Sequence, residues 1–211
     1  TYAGVLTARF GATDLHRKQR QPQRSAVRAL EETTAGVAII FNDHLKTASL
    51  PALQRVDHLY VFDNPSLESV TMSRLSEVAE LVQIARNGDI QALDLHALRH
   101  VGFSIEVSGH PALRSIDAPM LVVTGDIAHL NQLLLLENPM LAFFPFDQIV
   151  SVESLAVGGG TAPGWIEVIG NHRLAKLDFA RLEAVHCLFV IERNETLATI
   201  DMPRIGAIDF E

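Results

Sequence analysis

Residues 170–185 read GNHRLAKLDFARLEAV, and residues 193–208 read RNETLATIDMPRIGAI. Displaced by 23 residues, the two superpose, so that Asn171 falls on Asn194, Leu174 on Leu197, Asp178 on Asp201 and Arg181 on Arg204. Self-similarity at a fixed period of this length is the mark of a stacked repeat. Scanning back from Asn171 and Asn194 with the same apolar spacing finds equivalent anchors at Asn42, Asn64, Asn87, His110 and Asn138, which makes seven units. Three residues after each anchor stand Leu45, Leu67, Ile90, Leu113, Leu141, Leu174 and Leu197. Further apolar columns follow at six, eight, eleven and fourteen residues, and only Thr124, in the fourteenth, interrupts them.

Five and three residues before the anchors the chain alternates: Val37 and Ile39, Leu59 and Val61, Val82 and Ile84, Ile105 and Val107, Leu133 and Leu135, Ile166 and Val168, Phe189 and Ile191. Alternation of mostly β-branched residues over a short run predicts a half-buried strand. A unit of about 23 residues with no helical stretch inside it has no room for a strand-helix crossover. The units must therefore coil, with the strands stacked in parallel at about 4.8 Å per turn into a body about 34 Å long. The fold expected is all-β, a single parallel solenoid of about seven coils of 22–23 residues. Stacked asparagines would form a ladder, since their amides bond backbone groups in their own and neighbouring coils. His110 reads as a polar substitute within that ladder.

The composition agrees with a narrow aliphatic interior: 48% of the 211 residues are hydrophobic, but only 6% are aromatic. A net charge of −8 argues against general nucleic-acid binding. The single cysteine, Cys187, excludes an internal disulfide and any multi-cysteine metal site. The longest apolar approach, LLLLENPMLAFF from Leu133, is cut by Glu137, Asn138 and Pro139, so no transmembrane helix is expected. The chain opens at Thr1 without a methionine or signal peptide, as a processed or trimmed form would.

The pattern N-x-x-L-x-x-I/V-x-L/M-P-x-L-x-x-V/I, best seen in NPSLESVTMSRLSEV, GHPALRSIDAPML and NETLATIDMPRI, resembles the receptor L-domain-like family of leucine-rich right-handed β-helices. The resemblance covers residues 36–211. It implies a right-handed coil and a non-catalytic domain of the cell surface or extracellular space, whose faces bind protein or glycan partners. The cysteine-rich modules that accompany the animal receptors are missing, which points to the microbial, disulfide-free branch.

Anchor spacings of 22, 23, 23, 28, 33 and 23 locate two insertions. The first adds about five residues near Thr124–Gln132 and holds His129; the second adds about ten near Ala156–Trp165 and holds Gly158, Gly159, Gly160 and Trp165, the only tryptophan. Insertions leave a solenoid as loops, frequently on its binding face. Gly158, Gly159, Gly160, Trp165 and His129 are the candidate partner contacts, although a loop whose Trp165 merely folds back on the next strand is the plainer reading. The triple glycine is no phosphate cradle, because no Lys-Ser/Thr follows it.

Seven residues after the anchors, between inward positions, an outward column carries Asp94, Asp117, Asp178 and Asp201. A solvated face is the plainer reading, with weak cation binding as the alternative. Catalysis by these acids, as in polysaccharide-cleaving β-helices, requires a second kind of group in a groove; Arg181 and Arg204 are expected simply to pair with them. The nine histidines fall in different columns, and His96 with His100, though at helical ligand spacing, lie on a non-helical coil. No catalytic residue, metal or cofactor is therefore expected.

Residues 1–35 depart from the repeat. TYAGVLTARF alternates like a strand, and Ser25 is a helix cap before AVRALEE, so a strand and helix are expected to cover the first coil. Arg17, Lys18, Arg20, Arg24 and Arg28 offer an alternative contact with an anionic surface. After Ile208 no cap is written, so either self-association or a C-terminal continuation is expected to cover the last coil. The function expected is an extracellular or cell-surface recognition or adhesion domain; a structural subunit of a filament, sheath or surface layer, joined through solenoid ends, is the alternative.

Overall fold

The computed structural model describes residues 6–8, 31–123, 132–144, 151–152, 164–185 and 187–208. Every regular element among the described residues is a β-strand, and the chain winds as a right-handed parallel β-helix. The seven units place Glu32–Ile40, Arg55–Asn64, Glu77–Asn87, Ser104–Ser108, Gln132–Leu136, Gly164–Ile169 and Cys187–Glu192 side by side in one long parallel sheet. Registers run Val37↔Leu59↔Val82↔Ile105↔Leu133↔Ile166↔Phe189, which is the column five residues before the anchors. Both longer units keep this register.

Two shorter stacks close the cross-section. One pairs Thr47–Ser49 with Ser69–Thr71, Ala92–Asp94 with Ser115–Asp117, and Lys176–Asp178 with Thr199–Asp201. The other contains Ser151–Val152, Ala184–Val185 and Ala207–Ile208 at one end; at the other, His100–Val101 lies between the start of Glu77–Asn87 and Val122–Val123. Here the sequence reading is corrected by one residue. Val123, not Thr124, is registered with Val101, so the fourth unit is one residue shorter across this corner and its column is not interrupted.

The corners explain the motif. Hydrogen bonds from Leu45 N to Asn42 O, Leu67 N to Asn64 O, Leu141 N to Asn138 O, Leu174 N to Asn171 O and Leu197 N to Asn194 O close a four-residue turn at these anchors. A second turn is closed by Leu53 N to Leu50 O, Leu75 N to Met72 O and Leu98 N to Leu95 O. Proline presets φ for the second residue of such turns. Pro65, Pro111 and Pro139 occupy that place in the first turn, and Pro51, Pro119 and Pro203 in the second. The turn-closing leucine points inward, which is why N-x-x-L and L-P-x-L recur.

The residue before every anchor is left-handed: Phe41, Asp63, Arg86, Gly109, Glu137, Gly170 and Arg193 have φ between 51° and 70°. Such a residue ends the strand and swings the anchor inward. Outside glycine this conformation costs about 1–2 kcal/mol, so five of these positions persist only because the ladder holds them. At Gly170 a Cβ would stand 2.7 Å from the Glu137 carboxylate, which Arg193 reaches from the rung beyond.

The interior is a column of aliphatic layers, including Leu53, Leu59, Leu67, Leu75, Leu98 and Leu182, with Phe179 the largest fully buried side chain. Leu45 at one end and Phe189, Ile191, Leu197, Met202 and Ile205 at the other are only partly buried against it. Leu6–Ala8 pairs in parallel on Glu32–Ile40, with Leu6 beside Val37. It therefore covers the first coil as an added rung in register, and the helix expected near Ser25 lies outside the described residues.

Candidate functional site

The asparagine ladder is structural. Asn42, Asn64, Asn87, His110, Asn138 and Asn171 are buried, and Asn194 is half-buried. Asn42 Nδ2 donates to Asn64 Oδ1 at 2.9 Å, Asn64 Nδ2 to Asn87 Oδ1 at 2.9 Å, and Asn138 Nδ2 to Asn171 Oδ1 at 3.3 Å. The same amides also bond strand carbonyls, as Asn87 Nδ2 does at Val61 O and Asn194 Nδ2 at Val168 O. All the anchor side chains are thus engaged in holding coils together.

The outward acids are arranged as expected in register, with Asp94 beside Asp117 and Asp178 beside Asp201 on adjacent rungs. For Arg204 the partner differs from the expectation. Lys176 reaches Asp178 at 2.6 Å, while Arg204 approaches Glu183 at 3.9 Å. Asp94 accepts from the backbone N–H of His96 and contacts its Nδ1 at 2.6 Å. Burial raises the Asp94 pKa, but these two His96 bonds outweigh it and hold the carboxyl below its ordinary value. No group of three His, Cys, Asp or Glu converges among the described residues. His96 lies in a turn and His100 opens a strand. Asp94 with Asp117 and Asp178 with Asp201 therefore stand as two solvent-facing pairs, with His96 beside Asp94 and Lys176 beside Asp178.

Of the candidate contact residues, Gly158, Gly159, Gly160 and His129 lie outside the described residues. The backbone of Trp165 sits in Gly164–Ile169 between Gln132 and Leu188 of the long sheet.

A different cluster emerges on the outer face of the long sheet. Strand Arg55–Asn64 turns Leu59 and Val61 inward, and so presents His58, Tyr60 and Phe62 outward, two residues apart. The His58 and Tyr60 rings stack with centroids 5.8 Å apart and planes at 18°. Tyr60 and Phe62 meet edge to face at 6.3 Å, and Phe62 meets Phe41 of the preceding coil edge to face at 5.7 Å. Phe41 can stand there because its left-handed backbone tips it out of the strand, and it is 56% exposed. Arg86, from the following coil, lies over Phe62 at 5.9 Å. Asp63 fixes that guanidinium through two bonds of 2.7 and 2.9 Å, and the Arg86 bond holds the Asp63 carboxyl below its ordinary pKa.

Beyond the strip the face becomes polar. Gln83 donates to Glu106 at 2.9 Å, as does Ser108 at 2.5 Å, and Glu80 stands 3.4 Å from His58 Nε2. The Nδ1 atom of His58 is buried without a hydrogen-bond partner among the described residues. The strip is thus a row of rings on a rigid strand, bordered by hydrogen-bonding groups, and suited to packing against an apolar or sugar face. Sequence reasoning missed it because it belongs to one coil and makes no column. Its signal was present in HLYVF at residues 58–62, where all three outward positions carry rings.

Comparison with protein-family models, with curated proteins and with solved structures gives no match. No helix among the described residues is long and apolar enough to cross a membrane.

Proposed function

We propose that this chain is a non-enzymatic recognition or adhesion domain of the receptor L-domain-like type, extracellular or at a cell surface, which binds a protein or glycan through the outer face of its long sheet. The observation that carries the reading is the ring row of His58, Tyr60 and Phe62, extended by the exposed Phe41. Aromatic side chains held on a strand lose little entropy on binding, and they dominate the energetics of many interfaces. The β-helix supplies the rigidity, because each ring-bearing residue alternates with one locked in the core.

The test uses wild type and a Tyr60→Ala/Phe41→Ala variant on arrays of glycans and of purified surface-protein ectodomains. Binding of at least one probe by the wild type, weakened at least about tenfold in the variant at unchanged melting temperature, is expected. Equal binding by both would remove the strip from the reading. Loss on Trp165→Ala alone would move recognition to the second insertion.

The alternative, a structural subunit of a filament, sheath or surface layer, draws support from the edge strand Cys187–Glu192. It pairs on one side only among the described residues, and Leu188 and Ile200 of its coil are each 45% exposed. Sedimentation over a hundredfold range of concentration separates the two readings. Growing rod-like polymers favour assembly, and a monomer throughout excludes it.

A further inference from the structure

His110 is the one rung of the ladder that can take up a proton. Its ring is buried between Asn87 of the coil before and Asn138 of the coil after. The polarity of the ladder sets its tautomer. Asn138 directs its Nδ2 to Val107 O and Asn171 Oδ1, so its Oδ1 is an acceptor for both the backbone N–H and Nδ1 of His110, each at 3.2 Å. The ring proton therefore sits on Nδ1, and Nε2 offers its lone pair to Asn87 Nδ2 at 3.3 Å. Asn87 has no way to turn round, because its Oδ1 accepts from Asn64 and its Nδ2 donates to Val61 O.

We propose that His110 makes the fourth rung an acid-sensitive joint, at which protonation of Nε2 sets donor against donor at Asn87 and opens the ladder between the third and fourth coils. Among the described residues no neighbouring charge offsets this. Around the ring, Arg86 is committed to Asp63, Glu137 to Arg193, and Glu106 to Gln83 and Ser108, while Asp89 and Arg114 are exposed. The ring's own partners, Asn87, Asn138 and the Ser108 backbone, are uncharged. The joint rests on the ladder alone, independently of what the aromatic strip binds.

Burial lowers the His110 pKa from 6.5 to about 4, against the smaller raising effect of its bonds to Asn138 and the Ser108 backbone. An opened state that hydrates the ring binds the proton more tightly than the closed one, so stability rises with pH in this range. The contribution is complete above about pH 6.5 and is lost progressively as the pH falls through the folded value near 4. Relative to pH 7, opening increases about 20-fold at pH 5 and about 120-fold at pH 4, toward a limit of about 240-fold.

Two measurements on the full chain test this. In the wild type, imidazole ¹⁵N spectra between pH 8 and 4 are expected to show an Nδ1-protonated neutral His110 that remains neutral at pH 5.5; titration near 6.5 would overturn the proposal. Hydrogen exchange is then compared between wild type and His110→Asn, which continues the ladder with a group that does not titrate. The Arg114 amide, which donates to Gln91 O across the joint at 2.8 Å, is expected to lose protection about 20-fold between pH 7 and 5 in the wild type, after correction for intrinsic exchange, and to change less than about threefold in the variant. Equal loss in both proteins, or loss spread evenly over all coils, would contradict a joint at this rung. Should His110→Asn fail to fold, the ring titration still decides.

Discussion

Asn64→Ala is expected to lower the free energy of unfolding by about 3–5 kcal/mol, although it removes only one small polar side chain. The Asn64 amide accepts from Asn42 N at 3.1 Å and from Asn42 Nδ2 at 2.9 Å, and it donates to Ile39 O, Phe62 O and Asn87 Oδ1. Alanine leaves those groups buried where water does not reach them, and each unsatisfied group costs about 1–3 kcal/mol. The same change at Asn194, half-buried at the last described rung, is expected to cost only about 1 kcal/mol. Urea unfolding of the two variants beside wild type makes the comparison. Equal small losses at both rungs would mean that the ladder decorates the coil without holding it.

Phe179→Ala should cost about 3–5 kcal/mol, the loss for a buried aromatic whose cavity does not collapse. Phe179 is fully buried and meets Phe189 of the next coil at 5.7 Å, so its removal empties a layer that two coils share. Phe41→Ala is the matched control. Its ring is 56% exposed on the outer strip, and its loss should change stability by no more than about 0.5 kcal/mol. Thermal and urea denaturation of the pair read the difference. Similar losses would show that the strip is part of the folding core and would weaken its assignment to recognition.

The inward columns were legible in the sequence because a narrow solenoid leaves them little choice. Leu53, Leu75, Leu98 and Leu182 each fill the same corner of successive coils, where a polar side chain would be stranded and a larger one would not fit. The anchors were legible for a related reason: only a short side chain with both donor and acceptor continues the ladder through Asn64 and Asn87. His110 meets that requirement with a ring nitrogen on each side, which is why it stands in the column without interrupting it.

Other features follow a geometry that residue type does not spell. The left-handed residue before each anchor is glycine only at Gly109 and Gly170; at Phe41, Asp63, Arg86, Glu137 and Arg193 the ladder enforces what composition does not suggest. The register at Val123 escaped a fixed count because one corner is shorter by one residue. Outward positions are free to vary between coils, so a partner surface confined to His58, Tyr60 and Phe62 leaves no periodic trace. Periodicity thus locates what holds the coils together, whereas a site on one coil must be sought among the residues that do not repeat.

The most direct measurement of the central claim, that a buried ladder of side-chain amides, carried through its fourth rung by the His110 ring, ties the coils together, is hydrogen exchange at the Nδ2 groups of Asn42, Asn64, Asn87, Asn138 and Asn171 by NMR near pH 7. The account predicts that Asn64, Asn87 and Asn138 exchange at least about a thousandfold more slowly than free asparagine, and that the rates rise together as denaturant approaches the unfolding midpoint. Exchange of these three amides at the rate of free asparagine, in a protein that is still folded, would contradict it.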